Sequence, residues 1–389
     1  MKEHIKKEYK AVRGHRYFWF IFISFLIICF VLFVAPVTVG NVSYQKGEHL
    51  EKIQDKIGEI LGDEVPELLV LDKEDYDKRM VLLANNPPQP KDIIKKTTNA
   101  DGTITEQITK ATPRIDKWPV KTVYPNTGAI LPFNRIIAYY GNLYSKKMGA
   151  LGEYPEDVML AKLQAEVSKW TAADPGTPAI PALHYIAVVA QGSAGSDGKY
   201  RFRMPDKEID KVLKMAEKIN AIVFLDIQVA LSNIQTELPK FEKYFKLPNV
   251  HLGIDPEFSM KTGAKPGTVV GTMDGETDVN YTINYLSKIV QENNLPPKVL
   301  VIHRYTKKML TNALKIKPTP QVQVVIHMDG WGGKAKKFGT YNITTVPEPV
   351  QFTGFKIFYK HDVKEPNTVN LTPTELLKLR PIPSYIQYQ

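Results

Sequence analysis

Four segments in the second half of the chain share one pattern, an apolar run rich in β-branched residues that ends in polar side chains. They span residues 221–228, 250–257, 299–304 and 322–330. Continuous apolar runs of this length are typical of parallel strands that are buried on both faces. Because the carboxyl ends of parallel strands meet at one end of a barrel, we expect their polar side chains to lie close together.

Strand-like and helix-like segments alternate from Arg135 onward, which is the pattern of βα units. Further strands are predicted at 135–140, 183–190, 350–358 and 383–386. Helices are predicted at 155–170, 206–219, 233–245, 279–293, 306–314 and 373–379. Eight parallel strands are the number that a closed barrel needs. The predicted fold class is therefore α/β, a (β/α)8 TIM-like barrel over residues 131–389.

An open, doubly wound sheet is the alternative fold. Such sheets usually carry a Gly-rich phosphate-binding turn after the first strand. Here that place is held by Tyr140, Gly141, Asn142, Leu143 and Tyr144, and the sequence has neither a P-loop nor a G-x-G-x-x-G motif between a strand and a helix. The closed barrel is the favoured prediction.

The N-terminal region has the composition of a membrane anchor. Residues 17–35 contain no charged side chain, and a helix of about 19 residues spans roughly the 30 Å hydrocarbon core of a bilayer. Residues 1–16 form a basic tail, whereas residues 36–44 carry no basic residue. This asymmetry predicts a single-pass protein of the cell membrane, with a cytoplasmic N-terminus and an extracellular barrel. A cleaved signal peptide is the alternative, but no clear A-x-A site follows the apolar run.

Residues 36–130 are predicted to form a stalk between the anchor and the barrel. An amphipathic helix is expected at 48–61, and the proline-rich segment 85–132 is typical of an extended linker. The single cysteine, Cys29, excludes an internal disulfide and a cysteine-based metal cluster. The oligomeric state stays open.

The net charge of +10 is a mild excess of 51 basic over 41 acidic residues. The chain lacks the aromatic and zinc-finger signatures of nucleic-acid-binding domains, so we expect no nucleic-acid partner. The excess fits a neighbouring anionic membrane or envelope polymer better.

Three of the predicted strand ends carry polar residues two positions apart, a spacing that places both side chains on one face. The pairs are Asp226 with Gln228, Asp255 with Glu257, and His327 with Asp329. A single carboxylate at a strand end is often only the N-cap of the next helix. Repetition on neighbouring strands favours a shared site instead.

Glycoside hydrolysis is the chemistry that suits this set of residues, because it needs a protonated carboxyl group, a second carboxylate and polar or aromatic contacts to the sugar. We predict Glu257 as the acid, with Asp255 and Asp226 as carboxylates that tune or stabilise it. The predicted substrate contacts are Tyr140, Asn142, Gln228, His303, His327, Asp329, Trp331 and Tyr341. No cofactor is predicted, and the expected ligand is a glycan.

The segment from Gly253 to Glu257 resembles the end of the fourth-strand motif of chitinase-like glycoside hydrolases (family 18). In that family a D-x-E sequence finishes with the catalytic acid, and Asp255 and Glu257 match it. The resemblance implies a barrel hydrolase with Glu257 as its acid. The earlier acidic positions of the motif are occupied here by Val250 and Gly253, and its preceding glycine by His251.

Two other functions remain open. His303, His327 and Asp329 form the donor set of a metal-dependent hydrolase, and similar histidines close strands five and six of amidohydrolase barrels. Those barrels also carry H-x-H on the first strand, where this chain has Ala138 to Gly141. The same polar residues also suit a non-catalytic saccharide- or polymer-binding surface protein. The Gly-rich segment 329–339 is predicted as a mobile loop with solvated lysines.

Overall fold

The computed structural model of the protein describes residues 70–366 and 368–389. The predicted anchor at 17–35 and the predicted helix at 48–61 lie outside the described residues, so both stay predictions. Within the described ranges, no helix has both the length and the apolar character needed to cross a membrane. The described residues form one compact unit.

Eight parallel strands close into a barrel, in which each strand pairs with the next one along the chain and the last pairs with the first. The strands are β1 Arg135–Gly141, β2 Ala179–Ala190, β3 Ile222–Ile227, β4 Val250–Ile254, β5 Lys298–Arg304, β6 Val322–Met328, β7 Phe352–Ile357 and β8 Tyr385–Tyr388. The predicted closed barrel is confirmed. An open sheet is excluded, because it would have two unpaired edge strands, whereas here the first and the last strand pair with each other.

Helices follow most of the strands and cover the outside of the barrel. They are α2 Ala150–Glu153, α3 Glu156–Ala173, α4 Asp206–Glu217, α5 Ile234–Glu237, α6 Glu242–Phe245, α7 Asn280–Glu292, α8 Lys334–Thr344 and α9 Pro373–Leu376, and a further helix, α1 Lys73–Ala84, precedes the first strand. The amphipathic sequence of α4 explains its position: Ile209, Val212 and Met215 are buried on one face and the intervening charged residues are solvated.

Two predicted segments differ from the structure. The helix expected at 306–314 is replaced by two 3₁₀ turns, Lys307–Met309 and Ala313–Lys315, and Asn312 between them has a φ of 50°, which an α-helix does not accommodate. The loop expected at 329–339 is partly wrong as well, because α8 begins at Lys334. Gly330, Gly332 and Gly333 precede the helix, whereas the lysines of the segment and Gly339 lie within it.

Helix α1 closes the N-terminal end of the barrel. Its Tyr76, Met80 and Leu83 pack with inward-facing strand residues such as Ile136 and Phe224. The Leu83 carbonyl accepts a hydrogen bond of 2.7 Å from the backbone N–H of Ile382, just before β8. Residues that the sequence assigns to the stalk therefore contribute to the barrel core.

The proline-rich segment between α1 and β1 contains one regular element. Ile93–Thr98 and Ile104–Thr109 pair as an antiparallel hairpin whose residues are all exposed. The hairpin does not add to the barrel core.

Replacing Met80 with Ala is expected to lower the free energy of unfolding by about 2–4 kcal/mol, because it opens a cavity under the barrel. Leu82→Ala on the same helix is the control, since Leu82 is 71% exposed whereas Met80 is 5% exposed. Denaturant unfolding of both variants measures the difference. Equal unfolding midpoints would show that α1 is not part of the folded core.

Candidate active site at the barrel mouth

A cavity of about 630 Å³ opens at the carboxyl ends of the strands. This volume is in the range of small-molecule sites. Six polar side chains from five of the strand ends reach its wall, namely Tyr140, Gln228, Asp255, Glu257, Asp329 and Lys356. The strand ends that the sequence marks as polar therefore do converge, and Tyr305 and Trp331 complete the polar and aromatic wall.

Asp255 has two roles in the structure. Its Oδ1 accepts a 3.0 Å hydrogen bond from the Glu257 N–H and so caps the 3₁₀ turn Pro256–Phe258. It also lines the cavity, where Gln228 Nε2 donates to its Oδ2 at 3.4 Å. Burial raises the pKa of Asp255 well above its usual range, although the charge of His303 opposes the rise.

Glu257 lies in the cavity wall and is only partly buried. The Tyr305 hydroxyl donates a 3.1 Å hydrogen bond to its Oε1. Burial raises the pKa of Glu257 and the charge of Asp329 adds to the rise, while the Tyr305 hydrogen bond and Lys356 oppose it. Glu257 therefore keeps its proton at a higher pH than an ordinary glutamate.

Asp329 is held as a carboxylate by two partners. Lys356 Nζ lies 2.9 Å from its Oδ1, and His303 Nδ1 lies 2.9 Å from its Oδ2. Burial by itself would raise the pKa of Asp329, but the charge of Lys356 and the contact with His303 lower it well below its usual range. Lys356 also lies 4.1 Å from the centre of the Tyr140 ring, which is within cation–π distance.

Tyr140 forms the floor of the cavity and separates it from a second polar layer. Its hydroxyl donates to Asp226 Oδ2 at 2.9 Å and accepts from Gln228 Nε2 at 3.3 Å. Asp226 itself is fully buried and lies beneath the floor instead of in the cavity wall. The sequence predicts Asp226 as a carboxylate that tunes or stabilises Glu257, but the fold places Asp226 below the cavity wall in which Glu257 lies.

The histidines also lie below the floor. His303 and His327 are completely buried, and their rings meet edge-on with centroids 4.9 Å apart. His184 on β2, which the sequence does not single out, stacks on the ring of Phe224. Asp226 Oδ1 lies 3.6 Å from His184 Nε2 and 3.7 Å from His303 Nε2.

The remaining predicted contacts have different positions. Trp331 lines the cavity rim with 53% of its surface exposed. Asn142 is buried beside the cavity and shapes the loop after β1, donating to the Ile186 carbonyl at 3.0 Å. Tyr341 is buried on α8, where its hydroxyl donates to the Pro381 carbonyl at 2.7 Å. Asn142 and Tyr341 serve packing and do not line the cavity.

Sequence reasoning missed His184, Tyr305 and Lys356. His184 and Lys356 lie inside apolar runs and not at their ends, so a search for polar strand ends passes over them. The sequence did contain a signal for both residues. Each is an isolated polar residue in a buried strand, at a position that the alternation of side chains places on the inward face.

Lys356→Met is expected to lower the free energy of unfolding by about 2–3 kcal/mol, since Asp329 would keep a buried charge without its lysine. Lys360→Met is the control, because the Lys360 side chain is 69% exposed in its ion pair with Glu153 and the loss of an exposed ion pair is expected to change the stability little. Denaturant unfolding at neutral pH compares them. A Lys356→Met variant as stable as the control would contradict the buried ion pair.

Comparison with known proteins identifies no family for this chain. No protein-family model matches the chain, and no curated protein matches it either. The functional assignment therefore depends on the residues of the site.

Proposed function

We propose that the barrel mouth hydrolyses glycosidic bonds in an envelope or extracellular glycan, with Glu257 as the general acid. One observation carries the proposal: Glu257 is a partly buried carboxyl group in the wall of a cavity that the ionised Asp329 also lines. Carboxyl groups whose surroundings push their pKa values apart are the usual acid and base of such a site.

The reaction follows from these two protonation states. The Glu257 carboxyl group donates its proton to the glycosidic oxygen as the bond from that oxygen to the anomeric carbon breaks. The Asp329 carboxylate stabilises the positive charge that develops at the anomeric carbon. Water supplies the hydroxyl group that ends on this carbon, and the remaining proton of the water restores the acid. One water is consumed for each bond cleaved.

The rim of the cavity supports a sugar polymer as the ligand. Trp331 offers an exposed ring of the kind that stacks on sugars, and Lys336 Nζ lies 4.3 Å from its centre. Lys147 also lines the cavity. Exposed cations around an aromatic surface favour a glycan with acidic groups. The resemblance of Asp255 and Glu257 to the family 18 motif supports the same substrate class.

The predicted membrane anchor agrees with this substrate. A cytoplasmic N-terminus places the barrel outside the cell, beside envelope and extracellular polymers. We therefore include attachment to the membrane in the proposal.

Glu257→Gln is expected to reduce the turnover number by about 10²- to 10⁴-fold with little loss of binding, because the amide keeps the shape of the side chain but has no acidic proton. The measurements are oligosaccharide release and calorimetric binding with chitin and peptidoglycan fragments. Glu292→Gln on α7, whose ion pair with Lys288 is exposed, is the matched control and should be as active as the wild type.

These measurements separate hydrolysis by Glu257 from the saccharide-binding alternative. Wild-type protein that binds fragments without cleaving any would support the saccharide-binding alternative and overturn hydrolysis. Cleavage that persists in Glu257→Gln would remove Glu257 from the acid role.

Tyr305→Phe is expected to move the alkaline limb of the pH–activity profile to higher pH. Activity requires protonated Glu257, so it is present below the raised pKa and is lost as pH rises through it. The Tyr305 hydrogen bond lowers that pKa, and its removal lets the pKa rise further. The other groups acting on Glu257 are Asp329, Lys356 and His303, and the substitution leaves them in place.

Tyr281→Phe, on the outer helix α7, controls for the loss of a tyrosine hydroxyl. A downward shift in Tyr305→Phe, or the same shift in both variants, would contradict the assignment of this limb to Glu257.

A further inference from the structure

Three ligand atoms from different strands converge beneath the cavity floor. His184 Nε2 on β2, Asp226 Oδ1 on β3 and His303 Nε2 on β5 all lie within 4.8 Å of one another. All three side chains have no exposed surface. From this convergence we propose that the barrel interior binds one divalent transition-metal ion through these three atoms. This metal site adjoins the cavity, but its existence does not require the glycan hydrolysis proposed above.

The distances fit coordination better than direct hydrogen bonding. Asp226 Oδ1 is 3.6 Å from His184 Nε2 and 3.7 Å from His303 Nε2. A charged imidazole bonded to a carboxylate would be expected at about 2.7–2.9 Å. Ligand atoms about 2.1 Å from a shared tetrahedral ion are about 3.4 Å apart, so small adjustments bring all three atoms to bonding distance.

All three atoms lack a hydrogen-bond partner among the described residues. A buried polar atom without a partner costs free energy, and a buried carboxylate oxygen costs more than a neutral one. Three such atoms that face one another form a site that lacks a positively charged partner. One bound cation would satisfy all of them at once.

The second polar atom of each of these three side chains already has a partner. His303 Nδ1 lies 2.9 Å from Asp329 Oδ2, and His184 Nδ1 lies 2.6 Å from the Tyr385 hydroxyl. Asp226 Oδ2 accepts from the Tyr140 hydroxyl. Metal-bound histidines typically use their second nitrogen in this way, which fixes the ring and directs the other nitrogen to the ion.

Strand β4 leaves space for the ion. Gly253 pairs with Asp226 across the sheet, and a Cβ built on Gly253 would lie 2.3 Å from His184 Nε2 and 2.6 Å from Asp226 Oδ1. These distances are close to metal–ligand bond lengths, which are about 2.0–2.2 Å for zinc with nitrogen or oxygen. The missing side chain therefore leaves room at the point where the ligands meet.

The donor set indicates the class of ion. Two imidazoles and one carboxylate suit zinc and other first-row transition metals, including iron and manganese. Calcium and magnesium prefer sites made of oxygen ligands alone. An ion on Asp226 would also hold Tyr140 through the other carboxylate oxygen. It would thereby fix the floor of the cavity from below.

The test measures metal content directly in the full-length chain purified in detergent. The protein is stripped with a chelator, loaded with Zn²⁺, freed of excess ion and analysed by elemental mass spectrometry. We expect about one Zn²⁺ per wild-type chain, and a higher Tm for the loaded than for the stripped protein.

His184→Asn removes Nε2 while it keeps a polar atom near Tyr385, and we expect it to retain less than about a tenth of the wild-type metal. His251→Asn is the matched control. His251 is also buried and also packs against Phe224, with ring centroids 5.2 Å apart, but it lies outside the convergent group. It should bind metal as the wild type does.

Two results would overturn the proposal. One is wild-type protein that retains no Zn²⁺ after loading and shows no rise in Tm, which needs no variant to fold. The other is equal metal retention by the two folded variants, which would place any bound ion elsewhere. Neither readout depends on glycan cleavage, so failure of this site and failure of the proposed function are distinguishable.

Discussion

The pairing of β8 with β1 is the constraint on which the rest of the structure depends. Tyr385–Tyr388 pair with residues 136–139 and close the sheet on itself. Closure places the inward-facing residues of all eight strands in one interior, so residues far apart in the chain become neighbours. Helix α1 completes this interior from below, and the loops after the strands leave the cavity open above.

The upper half of that interior is unusually polar for a barrel core. Asp226, Asp255, Asp329, His303 and Lys356 are all buried, and a buried charge is tolerated only with a partner. Asp329 is paired with Lys356, and burial raises the pKa of Asp255, which favours its neutral form. Asp226 has the Tyr140 hydroxyl on one oxygen and two histidine nitrogens 3.6 and 3.7 Å from the other, and this is the arrangement for which we propose a bound cation. At the mouth, burial and the charge of Asp329 raise the pKa of Glu257, while Lys356 and His303 oppose the rise.

The accuracy of the sequence predictions follows from the kind of signal each used. Strands β3 to β6 are predicted because buried parallel strands give continuous apolar runs, and Asp255, Glu257 and Asp329 are found at their ends. The helix predicted at 306–314 fails because its apolar spacing does not reveal the left-handed Asn312. Tyr341 has the composition of a sugar platform, but its position on α8 turns it toward the outer face of β7.

By itself, the sequence determined the alternation of strands and helices, the closed barrel and the end of the barrel at which polar groups collect. It determined these because they depend on local periodicity and on where each run ends. Only the tertiary structure decided which polar residues share the cavity and which lie beneath Tyr140. It also paired Lys356 with Asp329 and brought His184 to Asp226 and His303, because these contacts depend on register between strands and on the depth of each side chain along the barrel axis.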